Sequence, residues 1–378
     1  MNRTALAVTV ISCLAVAACE ETPPPQAPPP APAAPEPPPV AAPAPPPPAP
    51  EPPPPAAPPP PAYTVRPLSL PGATADGVGM DYLALDRASG RVWVPAGNTG
   101  SVDVIEPGGD KIIRVEGFPT KEVERNGKKR IVGPSSASVG DGFVYVGNRA
   151  DANVCALDMK APARGKCIKL ASPPDGIAFV AATKEVWVTT PRDKSITILD
   201  ASKPGAPRAK GKLALPGEPE GYAVDSGRGV FYTNLEDGDR TLAIDVRARK
   251  VVSTWLPACG EGGPKGLALD LASSLLVVAC TDHVEVLDAG HDGKVLGKLD
   301  TGAGVDNLDY VEARHELFAA AGKAGQLTIA RLDASGALSS IAVVPTAQGA
   351  RNAVADANGT AYLTDSAGGH ILMVTKAP

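Results

Sequence analysis

Seven positions offer the most chemistry in this sequence: Asp81, Ser135, Asp175, Glu220, Lys265, Asp306 and Arg351. They occupy one column of a repeated segment, and six of the seven side chains are ionisable, four acidic and two basic. Set around a shared opening with low-dielectric walls, they would focus a field on a charged or polar ligand. Asp175 and Glu220 make one arc acidic, whereas Lys265 and Arg351 flank Asp306 on the other. A ligand carrying both signs, such as a peptide segment or an amino-sugar chain, matches that order better than a simple anion. The plainer alternative is a solvated rim. A second alternative reads Asp175, Glu220, Asp306 and Asn307 as oxygen ligands for Ca2+ or another divalent cation that assists hydrolysis. Lys265, between Glu220 and Asp306 in the series, would oppose a cation there.

Other chemistry finds less support. The sequence has no nucleophile elbow and no recognisable serine–histidine pairing, so no catalytic residue is assigned. His283, His291, His315 and His370 fall in loops of different repeats with no shared column, which argues against a histidine metal site. Four cysteines, Cys155, Cys167, Cys259 and Cys280, fit neither a zinc ribbon nor a CxxC redox motif. In an oxidising compartment two structural disulfides are expected, Cys155–Cys167 within one hairpin and Cys259–Cys280 on one face, with buried free thiols as the alternative.

The column exists because one sentence is written seven times. PDGIAF followed by EVWVTT (174–190) recurs as PEGYAVDSGRGVFYTN (219–234) and PKGLALDLASSLLVVA (264–279), with looser copies at 80–95, 134–147, 305–320 and 350–365. Aligning Asp86, Gly140, Val180, Asp225, Asp270, Val311 and Asp356 gives spacings of 54, 40, 45, 45, 41 and 45 residues. Each copy reads as a proline turn, a short strand, a reversal and a strand alternating apolar with polar residues. A third strand follows, ending in an acid in most units (Glu106, Asp158, Asp200, Asp245, Asp288), which is expected to bond its own turn. A fourth strand leads to the next proline turn. Such a period with about four strands is the signature of propeller blades. The last unit lacks a fourth strand and the first is preceded by a spare one, 64–70. An all-β, seven-bladed propeller of four-stranded antiparallel blades is therefore expected over residues 63–378, closed by that N-terminal strand completing the last blade.

The strings YVGN (145–148) and FYTN (231–234), with PDGIA, PEGYA, PKGLA and third strands ending in LD, resemble YVTN-type, YncE-like β-propellers. The resemblance covers essentially all of 64–378. It implies a ligand- or partner-binding module, on a scaffold that hosts many unrelated activities. The metal alternative would make the chain similar to gluconolactonase-type propellers, although their blade-specific motifs are not apparent. Quinone-cofactor propellers use a tryptophan docking repeat, and this sequence has only Trp93, Trp187 and Trp255.

The loops between second and third strands, among them GNRADA (147–152) and NLEDGDR (234–240), open on the same face as the column and are polar. A charged insert, TKEVERNGKKR (120–130), reads as a hairpin about Asn126-Gly127 that could project over the opening as a flap or simply decorate the loop. The net charge of −5 and an aromatic content of 4% give no basic stripe with interleaved rings, so nucleic acid is not an expected partner.

Residues 1–18 have the layout of a secretory signal, with Arg3 ahead of an apolar run too short to span a membrane. The run ends in VAAC, which resembles the lipobox of bacterial lipoproteins and implies cleavage before Cys19 and its acylation. An ordinary signal cut near Ala18 is the alternative. Glu20 in place of an aspartate favours the outer membrane. Within the segment 19–62, residues 23–61 hold 25 of the chain's 43 prolines; most positions lack an amide donor, so polyproline II is the expected state. A spacer that holds the propeller off the membrane follows. The chain is thus expected to be a monomer in the cell envelope, touching the membrane through its lipid only, with an envelope protein, peptide or glycan as partner.

Overall fold

The computed structural model describes residues 62–377, apart from Asn126. The expected signal, Cys19 and the expected proline-rich tether up to residue 61 lie outside the described residues. Within them the chain forms seven four-stranded antiparallel sheets arranged as a propeller, plus one two-stranded hairpin. The innermost strands are Ala84–Asp86, Pro134–Gly140, Ile177–Val180, Pro219–Asp225, Leu267–Asp270, Val305–Val311 and Ala353–Ala355, in blades 1 to 7. Blade 7 is completed by Tyr63–Ser69, which pairs in continuous register with His370–Lys376, from Tyr63↔Lys376 to Ser69↔His370. The expected closure is present, and it leaves no blade with a missing strand.

Why these sheets stack face to face follows from where their side chains go. Seven apolar clusters fill the seven gaps between neighbouring blades. Each sheet is therefore covered on both faces, and its middle strands cannot have a wet side. This corrects one expectation: EVWVTT was read as alternating apolar and polar, yet all six residues Glu185–Thr190 are buried. Its polar members are satisfied instead of exposed. Glu185 accepts from Trp187 Nε1 at 2.9 Å and Thr183 Oγ1 at 3.0 Å, and pairs with Lys210 at 2.8 Å and Arg249 at 2.7 Å. The outermost strands face water and read accordingly, as in the almost fully exposed Arg208–Ala214.

The acids ending the third strands do bond their turns. Asp158, Asp200, Asp245 and Asp288 accept backbone N–H groups two or three residues on, while Glu106 pairs with Arg91 at 2.9 Å. Disulfides join Cys155 to Cys167, directly opposite across blade 2, and Cys259 to Cys280 at the crossing into blade 5. The histidines are placed differently from the expectation in two cases: His283 and His370 open strands, and His283 is buried.

Around one end of the ring the starts of the inner strands are stitched to their neighbours. Tyr82 N donates to Ser135 O (3.1 Å), Gly266 N to Asp306 O (2.7 Å), and Asp306 N to Arg351 O (3.3 Å). Asn352 Nδ2 closes the collar on Asp81 O at 3.1 Å. The repeated P-x-G motif has its physical reason here. Gly221 sits at φ +66°, and a Cβ there would run into the Lys265 backbone carbonyl of the next blade. A Cβ on Gly266 would likewise strike Asn307.

Candidate functional site: the mouth of the central channel

The collar carries the candidate residues at its rim. Arg149 Nη2 bridges two of the acids, contacting Asp81 Oδ2 at 2.7 Å and also Asp175 Oδ1. On the far side of Asp81, Arg351 pairs with Asp306 through Nε at 3.3 Å and approaches Asp81 Oδ1 at 3.7 Å. The structure thus brings Asp81, Asp175, Asp306 and Arg351 into one chain of alternating charge, with Arg149 as an added link. Lys265 turns to Glu236 of the adjacent loop. Ser135 is buried, and its Oγ has no hydrogen-bond partner among the described residues. Asn307 Oδ1 is engaged locally by the Leu308 N–H at 2.9 Å.

Glu220 differs from the other acids in having no cationic partner at hydrogen-bond range among the described residues. Its Oε1 accepts the phenol O–H of Tyr82 at 2.6 Å, and the same phenol oxygen accepts Gly221 N–H at 3.1 Å. Tyr82 belongs to blade 1 and Glu220 to blade 4, so the tyrosine side chain crosses the channel. Its ring also stacks on Tyr222, with centroids 5.8 Å apart and planes at 26°. Below the charged rim the channel is therefore barred by an aromatic beam, and the mouth is a bowl with a floor.

Crowding of acids in this half-desolvated bowl sets their protonation. Burial, with Arg351 working against it, raises the Asp306 carboxyl to about 6, and Asp81 and Asp175 push the same way. Burial also raises Asp175, opposed by Arg149. Glu220 is held well above the ordinary glutamate range, first by burial and then by the charges of Asp175 and Asp306. Such an assembly can exchange protons near neutrality and can accept a cationic group among the acids or an anionic one beside Arg351.

No group of three or more His, Cys, Asp or Glu side chains among the described residues is arranged to hold a metal ion. Of the four residues considered for a cation, Asp175 and Asp306 already face guanidinium groups and Glu220 a phenol. The charged insert forms the hairpin Lys121–Arg125/Lys128–Val132, with Glu122 and Lys129 paired across it at 2.9 Å. It leaves the ring at the mouth face, where Gly133 O accepts the Arg149 N–H at 2.9 Å. Asn126 of its turn lies outside the described residues.

Sequence reasoning missed Tyr82, Arg149 and Glu236. The polar loops carrying Arg149 and Glu236 were identified, but nothing local marks those two residues as the ones that turn inward. Tyr82 did have a signal. It occupies the column one step beyond the candidates, where the other repeats have Ser136, Gly176, Gly221, Gly266, Asn307 and Asn352. One large ring facing glycines has only the channel to fill.

No known family profile matches the chain, and no curated protein does. Solved structures do resemble it. A chain of the mitotic checkpoint complex shares 16% identity at a TM-score of 0.65, over 82% of this chain and 93% of its own. Virginiamycin B lyase from Staphylococcus aureus gives 14% and 0.63 over 83% and 99%, and the WD40 β-propeller domain of Doa1 gives 14% and 0.61 over 83% and 97%. At such identities the likeness is one of architecture: the chain is a seven-bladed β-propeller, and its neighbours range from a lyase to a WD40 domain and a chain of a checkpoint complex.

Proposed function

We propose that this chain is a non-enzymatic binding module of the bacterial envelope, related to the YVTN-type propellers, that recognises a ligand of mixed charge at its channel mouth. It is held to the membrane, in this reading the outer one, by an acylated Cys19 and a proline-rich spacer. One observation carries the reading. Four acids and two guanidiniums converge on a bowl whose floor is the Tyr82 beam, so a charged segment can rest there but not pass through. A peptide loop with neighbouring basic and acidic side chains, or an amino-sugar chain, fits the alternation. A cationic group entering the bowl favours release of the proton that burial and the neighbouring acids hold on Glu220, which then receives it, while Arg351 receives the negative group.

The test begins with crosslinking of the tethered protein in the envelope to capture its neighbour. Glu220→Ala and Arg351→Ala should then each weaken binding of that partner, roughly tenfold or more, for a loss of about 1.4 kcal/mol. Lys250→Ala on an outer strand should not. The losses should shrink at high salt, because screening acts over about 8 Å at physiological ionic strength. Rim variants that bind as wild type does would reduce the mouth to a solvated edge. Affinity should also fall as the pH drops through about 6, where Asp306 takes up a proton and the bowl loses negative charge. A flat profile between pH 7.5 and 5 would remove the acids from recognition. Metal analysis of the purified protein is expected to find no stoichiometric divalent cation; finding one would favour the hydrolase alternative.

A further inference from the structure

Beyond the Tyr82 beam the channel opens again toward the opposite face of the ring. There the inner strands end and their first turns surround a cavity of about 590 Å3, well inside the range of roughly 300–1,000 Å3 in which small-molecule sites fall. One wall is apolar, built from Phe179, Tyr222, Val224, Leu269 and Leu271 of blades 3 to 5. Leu271 stands half exposed at the rim, where an apolar side chain gains nothing from water. The roof is Tyr222, whose ring also stacks on the Tyr82 beam and on Phe231. The cavity is therefore separate from the charged mouth and opens the other way.

The opposite wall carries the polar groups, and their charges do not balance. Arg87 is spent: Nη1 donates to Ala355 O at 3.1 Å and Nη2 pairs with Asp309 Oδ1 at 2.7 Å. Asp309 Oδ2 accepts Ala355 N–H at 2.8 Å, so that carboxylate is spent as well. Glu312 is exposed at the rim, accepts only the Ala272 N–H at 3.0 Å, and has no cationic partner among the described residues. One negative charge thus stands beside an apolar pocket with its roof closed. We propose that this cavity is a second binding site, taking a small organic amine whose apolar body lies against Phe179, Tyr222 and Leu269 and whose ammonium meets Glu312.

Two probes with one body and opposite heads decide it: 4-phenylbutylamine and 4-phenylbutyrate, titrated calorimetrically into the full chain. The amine should bind at one site per chain and at least about tenfold more tightly than the acid. Val224→Trp and Leu269→Trp each place an indole in the cavity and should abolish that binding, with folding checked by thermal melting; two positions are used so that one misfolded variant does not end the test. Glu312→Gln should remove most of the preference for the amine. The proposal is overturned if neither probe binds at millimolar concentration, if the acid binds as well as the amine, or if filled variants bind as wild type does. Amine binding that is lost with Glu220→Gln instead of Val224→Trp would belong to the mouth and would also overturn it. None of these failures touches recognition of the partner at the mouth.

Discussion

At the scale of single residues, Tyr82 and Arg149 do most to shape the mouth. Tyr82→Phe keeps the stacked ring but leaves Glu220 Oε1 and the Gly221 N–H without their shared partner. A loss of about 1–3 kcal/mol is expected on denaturant unfolding, with the beam still in place. Arg149→Ala is a different injury. It leaves Asp81 and Asp175 facing each other without the cation between them, which should cost about 2–3 kcal/mol after allowance for partial exposure. The sign with pH is fixed by protonation. Arg149 opposes the burial that raises Asp175, so without it that acid holds its proton to still higher pH. The variant's deficit should therefore be largest near pH 7.5 and shrink toward pH 5, and unfolding curves at the two values read the difference. A deficit independent of pH would mean that Arg149 acts through packing. Neither residue was legible as a contact, because Tyr82 and Glu220 are 138 positions apart and meet only through the angle between blades 1 and 4.

At the scale of elements, the strands and staples were largely legible and the reason is local. Proline turns and acid-terminated third strands recur in most copies, and five of the six spacings fall at 40 to 45 residues. What failed was the period-two pattern of the middle strands, because a sheet packed on both faces imposes burial on every position, and Glu185 hides among them with four partners. The staples give a quantitative test. The disulfides close spans of 12 and 21 residues, so on chain entropy alone each contributes about 3 kcal/mol, the longer one more by only about 0.5 kcal/mol. Cys155→Ala/Cys167→Ala and Cys259→Ala/Cys280→Ala should thus lose comparable stability. A much larger loss for the second would show that Cys259 also holds the crossing into blade 5. Peptide mapping without reduction checks the pairing itself.

At the scale of the whole molecule, seven apolar interfaces in a ring make each blade depend on both neighbours, and the ring depends on its clasp. Removing residues 370–378 or beginning the chain after residue 70 deletes opposite halves of one pairing. Both truncations should lose the sharp thermal transition and gain aggregation by light scattering, to a similar degree. If either alone stayed monomeric and cooperative, the closure would be ornamental. The number of blades and the closing strand were readable from a count of repeats, whereas the mouth's floor and the cavity behind it were not, since both are made by side chains from several blades at once. The clasp has a further consequence in time. Tyr63 is synthesised more than three hundred residues before Lys376, with which it pairs. Throughout synthesis the first strand waits as an open edge, and every partial length presents an exposed flank to other chains. A molecule built this way needs protection while it is being made: the vulnerable state is not the finished ring but the growing, unclosed arc.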